Sequence, residues 1–477
     1  MAARTSTGTG VGGGAGFPSM EGNPLLGSLL ELKADALGTY LRAQRRHGDV
    51  VRIDVGPPGL RMEMYCVFSA EGAQQVLASE AANFRKDNPF YEEIRESFGN
   101  GLLTAQDADY LRQRRLVQPL FTRRRVDGYA GAVAEETAAT LASWARARDG
   151  IVDVSDEMMH LALRAVSRIL FGADTDATVD VVHRCFPVIT EYVLRRGYSP
   201  LNSPRSWPTP GNRRAAAATE ELYGVCDRII AERRANGTAG PDGEPGEDLL
   251  TLLAGAQGSD GAAFDAAELR DQVLIFLLAG HETTATSLAF ALHLLGRHPE
   301  EQARAREEAV RVLGGRTPEA ADLERLPYLT RVLKEAMRLY PAAPVFGRNA
   351  VAATEIDGHA VPAGATVILA PWVTHRHPGY WSDPDRFDPD RFTPEAEAAR
   401  PRYAWFPFGG GPRACIGQHF SMLESVIALA MLLREYEIET VDTEVPLSAG
   451  ITLRAMGPMR CRIRPVERES RAGRGQR

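Results

Sequence analysis

The sequence predicts a mainly α-helical protein with small β-sheets, folded as one domain, and three observations predict it. Beyond residue 68, apolar residues recur at helical spacing for about 230 residues. The longest such run, Asp265 to His298, contains no proline. Strand-like alternation is confined to two short regions, around 50–68 and 354–369.

Composition bounds the function. The 477 residues are 44% hydrophobic and 25% charged, so a large core is available. A net charge of −7 and a pI near 5.9 give no basic surface for a nucleic-acid partner. The five cysteines (Cys66, Cys185, Cys226, Cys415, Cys461) are odd in number, scattered and never in a C-x-x-C pair. A disulfide framework or a zinc site built on cysteines is not expected, and a reducing cytoplasm fits. Residues 1–16 are rich in Gly, Ser, Thr and Ala and lack an apolar run, so a disordered tail is expected rather than a signal peptide. A second disordered tail is expected at 466–477, leaving 17–465 as the folded domain.

Taken in order, Leu37 to His47 reads as an amphipathic helix with Asp35 as N-cap and Gly48 as its stop. Val50 to Val55 and Tyr65 to Phe68 form a hairpin across Gly56-Pro57-Pro58-Gly59. Two breaks interrupt the helical stretch, Ser199 to Gly211 and the Gly/Pro/Asp-rich 237–246, which is expected to be a surface loop. Asp265-Ala266-Ala267-Glu268 has capping-box spacing and opens the long helix. About 33 residues at 1.5 Å each make a rod of roughly 50 Å. Its length and apolarity suit a membrane span, but His281, Glu282, Arg270 and Asp271 within it argue for a buried core helix. Strand-like runs return at 355–358 and 365–368. A proline-rich irregular stretch then leads to a last helix, Gln418 to Leu432.

The segment Phe406-Pro407-Phe408-Gly409-Gly410-Gly411-Pro412-Arg413-Ala414-Cys415-Ile416-Gly417 is the most informative. Three glycines and a proline favour a tight turn. Cys415 falls where the last helix begins, and a thiolate there faces unpaired N–H groups and the positive end of the helix dipole. Gly417 leaves space for a flat cofactor against the backbone. A lone cysteine is more often a small buried hydrophobe; its neighbours set this one apart.

Phe408, Gly411, Arg413, Cys415 and Gly417 complete the pattern F-x-x-G-x-R-x-C-x-G, and the segment resembles the haem-binding signature of the cytochrome P450 family. The resemblance implies a helix-rich triangular prism with haem b between the long helix and the helix after the cysteine. It makes Cys415 the proximal iron ligand, Phe408 a neighbour of the sulfur and Arg413 a partner of a haem propionate.

Three further segments follow the family's order. Glu335-Ala336-Met337-Arg338 places an acid and a base on one helix face; in isolation such a pair is usually a surface salt bridge. The resemblance makes it a buried brace joined by Arg391, with Arg386 as a rival. Ala279-Gly280-His281-Glu282-Thr283-Thr284 puts poor helix formers inside a strong helix, which could be a packing notch for a crossing helix. The resemblance makes it the oxygen-binding segment, with Gly280 leaving room over the iron. Glu282 and Thr283 are then the acid–alcohol pair that passes protons, and Thr284 supports them. His281 is read as a satisfied residue at a cavity edge. Tyr110 and Arg114 occupy the place of a propionate-binding pair, with Tyr where the family has Trp or His. Arg348 matches a further propionate partner, and His375 resembles a turn near the haem face.

The implied reaction inserts one atom of O2 into a hydrophobic small molecule. No flavin-binding or iron–sulfur segment is present, so electrons from NAD(P)H are expected to arrive through a ferredoxin and its reductase or a flavodoxin. Substrate choice is expected to lie in 90–103, 187–207, the start of the long helix and 342–346. Trp207-Pro208-Thr209-Pro210-Gly211-Asn212-Arg213-Arg214 resembles the eukaryotic-like bacterial branch. A terpenoid, polyketide or fatty-acid-like substrate in secondary metabolism is therefore expected. The alternatives are a peroxide-driven oxidase of the same fold and a non-catalytic haem sensor.

Overall fold

The computed structural model describes residues 15–147, 149–172, 176–197, 199, 202–235, 248–258 and 261–466. The expectations for the extreme tails and for the 237–246 loop lie outside these residues. The chain divides into two compact units, each assembled from three separated stretches.

The first unit comprises Met1–Tyr91, Pro344–Pro384 and Arg400–Ala414. The helix expected from Leu37 instead runs Leu29–His47, with a kink at Asp35 (φ −158°, ψ 81°). Asp35 still acts as the expected cap, its carboxylate accepting the Gly38 N–H at 2.8 Å. Gly48, at φ 91°, ends the helix. The expected hairpin forms between Val50–Val55 and Met62–Val67, with Val51 opposite Cys66. It belongs to a five-stranded sheet ordered Val50–Val55, Met62–Val67, Thr366–Leu369, Phe346–Ala350, Phe84–Arg85. Phe346–Ala350 was not legible as a strand, since Phe-Gly-Arg-Asn-Ala has weak β-propensity. Pairing on both of its edges holds it there. Under the sheet Val67, Val367, Leu369, Tyr403, Ala404 and Phe406 form one buried cluster, which anchors the start of the glycine loop.

The second unit comprises Glu92–Ala343, Asp385–Ala399 and Cys415–Arg477. The long helix runs Ala266–Arg297 and starts in a full capping box. Asp265 accepts the Glu268 N–H at 2.8 Å, and Glu268 accepts the Asp265 N–H at 3.1 Å. It is apolar enough to cross a membrane by length and composition, yet 83% of its most apolar window is buried inside the protein. Helices Val154–Phe171, Pro210–Ala235, Pro327–Leu339 and Gln418–Glu435 pack against it. Leu274, Leu277, Leu288, Leu292 and Leu295 are fully buried. Their burial contributes on the order of 10 kcal/mol to folding before conformational entropy is counted. The Ser199–Gly211 break lies between helices Asp176–Gly197 and Pro210–Ala235. Asn212 ties its far end, donating to the Trp207 and Pro204 carbonyls at 2.9 Å. A three-stranded sheet (Ile151–Asp153, Arg460–Pro465, Tyr436–Thr440) and the hairpin Leu447–Ala449/Leu453–Ala455 complete the unit. Neither is legible in the sequence, because strands this short are held by pairing rather than by propensity.

Candidate functional site

Of the five cysteines, four are buried and only Cys415 is exposed; none forms a disulfide. Burial pushes the Cys66 thiol far up, and those of Cys226 and Cys461 up to about 12. Cys185 is pushed up to about 11 by burial and by the Glu221 carboxylate. These four are inert core thiols. Cys415 instead lies just before the helix Gln418–Glu435, whose residues from Leu423 to Leu433 are all buried. A Cβ at Gly417 would lie 3.9 Å from its sulfur.

The glycine loop belongs to the first unit, with Phe408 and Arg413 both partly exposed. Gly411 has φ 61°, and a Cβ there would collide with the Leu77 carbonyl oxygen. Only glycine fits. Gly409 has φ 68° but nothing within 4 Å. His375, fully buried, accepts the Phe406 N–H through Nε2 at 2.9 Å and fixes the start of the loop.

The Glu335–Arg338 pair is fully buried and bidentate. Nε donates to Oε2 at 2.6 Å and Nη2 to Oε1 at 2.8 Å. The Asp388 N–H donates to Oε1 at 2.9 Å, and Arg391 Nε lies 3.5 Å from the same oxygen. Arg386 offers its carbonyl to Arg338 Nη2 at 3.1 Å, while its side chain pairs with Asp388. Arg391, not Arg386, is therefore the third cation of the brace. Burial pushes the Glu335 carboxyl above the usual carboxylate range, and the Arg338 guanidinium opposes that.

The long helix is buried from Leu269 to Leu295 except at a few positions. Ala279 is exposed, and Gly280 and Thr283 are partly exposed. They form an open stripe, since 279 and 283 are one turn apart. Thr283 Oγ1 donates to the Ala279 carbonyl at 2.7 Å. A Cβ at Gly280 would come within 2.9 Å of Val166 Cγ2, so this glycine also lets the neighbouring helix approach. Thr284 turns the other way and meets Ser421 Oγ at 3.3 Å, joining the long helix to the cysteine helix. His281 is buried, bonded through Nδ1 to the Leu277 carbonyl, and burial lowers its pKa.

Glu282 is buried, and its carboxylate points away from the Thr283 stripe into a different set of partners. Thr452 Oγ1 donates to Oε2 at 2.9 Å, and Arg454 pairs with Oε1. Both partners were missed by the sequence reading. A lone arginine near the C-terminus carries no local signal, and only the hairpin brings it to residue 282. Glu282, His281 and Arg454 line one end of a cavity of about 260 Å³, which also touches Asp156, His183 and Pro187.

Tyr110 and Arg114 lie one turn apart on the helix Asp107–Val117, Tyr110 buried and Arg114 partly so. Arg348 is buried in the first unit. It donates to the Gly347 carbonyl at 2.8 Å and to the Tyr91 hydroxyl at 3.4 Å. No carboxylate pairs with it among the described residues. A buried guanidinium with only neutral acceptors is costly, and an anionic ligand would relieve that cost. The second unit thus carries an exposed thiol and an open stripe on a buried helix, and the first carries a buried cation with no carboxylate partner among the described residues.

The chain belongs to the cytochrome P450 family, whose family model matches residues 18–456. It is 37% identical over 442 residues to cyclooctatin synthase of Streptomyces melanosporofaciens, covering 92% of this chain and 93% of that protein. It is 34% identical to pentalenene oxygenase of Streptomyces avermitilis, covering 90% and 92%. Among solved structures, the P450DA heme domain matches with a TM-score of 0.86 at 28% identity, covering 95% of this chain and 98% of that one. The expected family, fold and activity are borne out: the chain is a monooxygenase that uses haem b. It requires redox partners and a hydrophobic substrate. Neither the peroxide-driven nor the sensor alternative is favoured by this kinship.

Proposed function

We propose that Cys415 is the iron ligand of this monooxygenase and that Thr283 and Glu282 handle its protons. Bound haem supplies the redox-active iron that activates O2. Cys415 would hold it, and its exposure among five cysteines is the observation that carries the assignment. In this reading Phe408 would be the neighbour of the sulfur, Gly417 would admit the ring, and Arg413, Arg348, Arg114 and Tyr110 would be the propionate partners. Thr283 offers a hydroxyl on the open stripe, with its proton on the Ala279 carbonyl and a lone pair free to accept. Glu282 draws protons from the cavity it lines, held in place by Thr452 and Arg454. Glu335, Arg338 and Arg391 brace the stretch before the cysteine loop, and Gly280 keeps the stripe clear of side chains. Residues 17–465 act as one functional domain, consistent with each unit being built from three interleaved stretches.

The substrate is a terpenoid hydrocarbon or its alcohol, hydroxylated or epoxidised in secondary metabolism. Relatives named for cyclooctatin and pentalenene support this over a polyketide or a fatty acid. A ferredoxin with its reductase, or a flavodoxin, delivers electrons from NAD(P)H in the cytoplasm.

The test is spectroscopic. The reduced carbon monoxide complex shows the red-shifted band of a thiolate-bound haem, and Cys415→Ser abolishes it while Cys461→Ser keeps it. A thiolate-type spectrum surviving in Cys415→Ser overturns the assignment. Binding-induced spin shifts across terpenoid, polyketide and fatty-acid panels then test the substrate class.

A further inference from the structure

We propose that Asp156, His160 and His183 form a zinc-class metal site on the rim of the cavity that reaches Glu282. Asp156 and His160 are one turn apart on the helix Val154–Phe171 and so share a face. His183 comes from the next helix, Asp176–Gly197. Each imidazole Nε2 lies 3.8 Å from the same oxygen, Asp156 Oδ1. One ligand atom from each residue can be chosen so that all three lie within 4.8 Å of one another. In a tetrahedral zinc site, bonds of about 2.0–2.1 Å put ligand atoms about 3.4 Å apart. Each imidazole–carboxylate pair is therefore a few tenths of an ångström too open, and the gap between the two imidazoles, which must also shorten, lies within 4.8 Å and is closed by side-chain rotation.

The imidazole rings are stacked, with centroids 4.6 Å apart and planes 18° apart. Turning one ring about its Cβ–Cγ bond brings both nitrogen lone pairs towards a shared point. A dication satisfies both rings and the carboxylate together. Two imidazoles and one carboxylate are borderline donors that select zinc, cobalt or nickel over calcium or magnesium, which demand oxygen. The side chains are 36–59% exposed, so an ion can enter from solvent and keep a water as fourth ligand.

The site has a structural consequence. Asp156 and His183 line the same cavity as Glu282, and Pro187 on the His183 helix lines it too. A bound ion would clamp the two helices together at its rim. This follows from the three ligands alone and does not depend on the role assigned to Glu282.

The holoprotein, dialysed against zinc sulfate and assayed for bound metal, tests the proposal beside His160→Gln/His183→Gln and Asp156→Asn. All three positions are solvent-facing, and an unchanged carbon monoxide spectrum verifies that each variant is folded. Wild type should bind one zinc more per chain than the double variant, with at least about 100-fold higher affinity at that site. Asp156→Asn should fall between them. Zinc should raise the melting temperature of wild type but not of the double variant. Equal zinc content and equal affinity in wild type and double variant overturn the proposal and leave the trio an ordinary surface ion pair.

Discussion

Replacing Arg338 by Met removes the cation from a carboxylate that has no access to water. Among the hydrogen bonds that go with it are those of 2.6 and 2.8 Å to Glu335 and of 3.1 Å to the Arg386 carbonyl. Glu335 keeps the Asp388 N–H and a single contact to Arg391 at 3.5 Å. Breaking a buried pair by removing one partner costs about 3–5 kcal/mol. Arg391→Met leaves the bidentate pair intact and takes from Glu335 the longer contact, so its cost should be smaller, about 1 kcal/mol. Replacing both members, Glu335→Leu with Arg338→Met, leaves no stranded charge and should recover much of the loss. Urea denaturation followed by haem absorbance and by far-ultraviolet dichroism gives the three values on one scale. The order expected is Arg338→Met worst, the double variant intermediate and Arg391→Met mildest. If Arg338→Met and Arg391→Met cost the same, or if the double variant is worse than Arg338→Met, the bidentate pair is not what holds the brace.

Other positions give independent checks. Thr283→Ala should keep the carbon monoxide spectrum and NAD(P)H consumption but divert electrons to peroxide; unchanged coupling removes Thr283 from proton handling. Gly411→Ala forces a Cβ onto the Leu77 carbonyl at positive φ and should cost more than 2 kcal/mol, measured as lost haem incorporation on expression. Gly409→Ala, at similar φ but with open space, should cost only about 1 kcal/mol. Burial lowers the His293 pKa from 6.5 to about 4. The folded state therefore resists a proton that the unfolded chain accepts, and stability falls as pH drops from about 6.5 to 4. The full loss is on the order of 3 kcal/mol. His293→Gln should flatten that part of the stability–pH curve, and an unchanged slope would falsify the attribution.

Local chemistry made much of this legible in advance. The Asp265 capping box, the Asp35 cap and the Gly56–Gly59 turn are readable because each depends on residues within a few positions of one another. Cys415 was legible for a similar reason, its whole signature being contiguous. The β-structure after the cysteine helix was not. Strands such as Leu447–Ala449 and Leu453–Ala455 are three residues long and hold their place by pairing rather than by propensity. The partners of Glu282 were hidden with them, 170 and 172 residues away in the chain. The choice of Arg391 over Arg386 also needed coordinates, since five residues separate two chemically identical candidates.

The captive position of Glu282 has a kinetic meaning. In the proton-handling role proposed for it, a carboxylate bound to a guanidinium and a hydroxyl on a separate hairpin is a docked carrier that has to undock to serve the stripe where Thr283 lies. Its release competes with an ion pair whose cation sits on a strand of only three residues. Proton supply then keeps the tempo of that short hairpin. A substitution in 447–455 can change how many electrons reach product without touching the iron, the oxygen or the substrate.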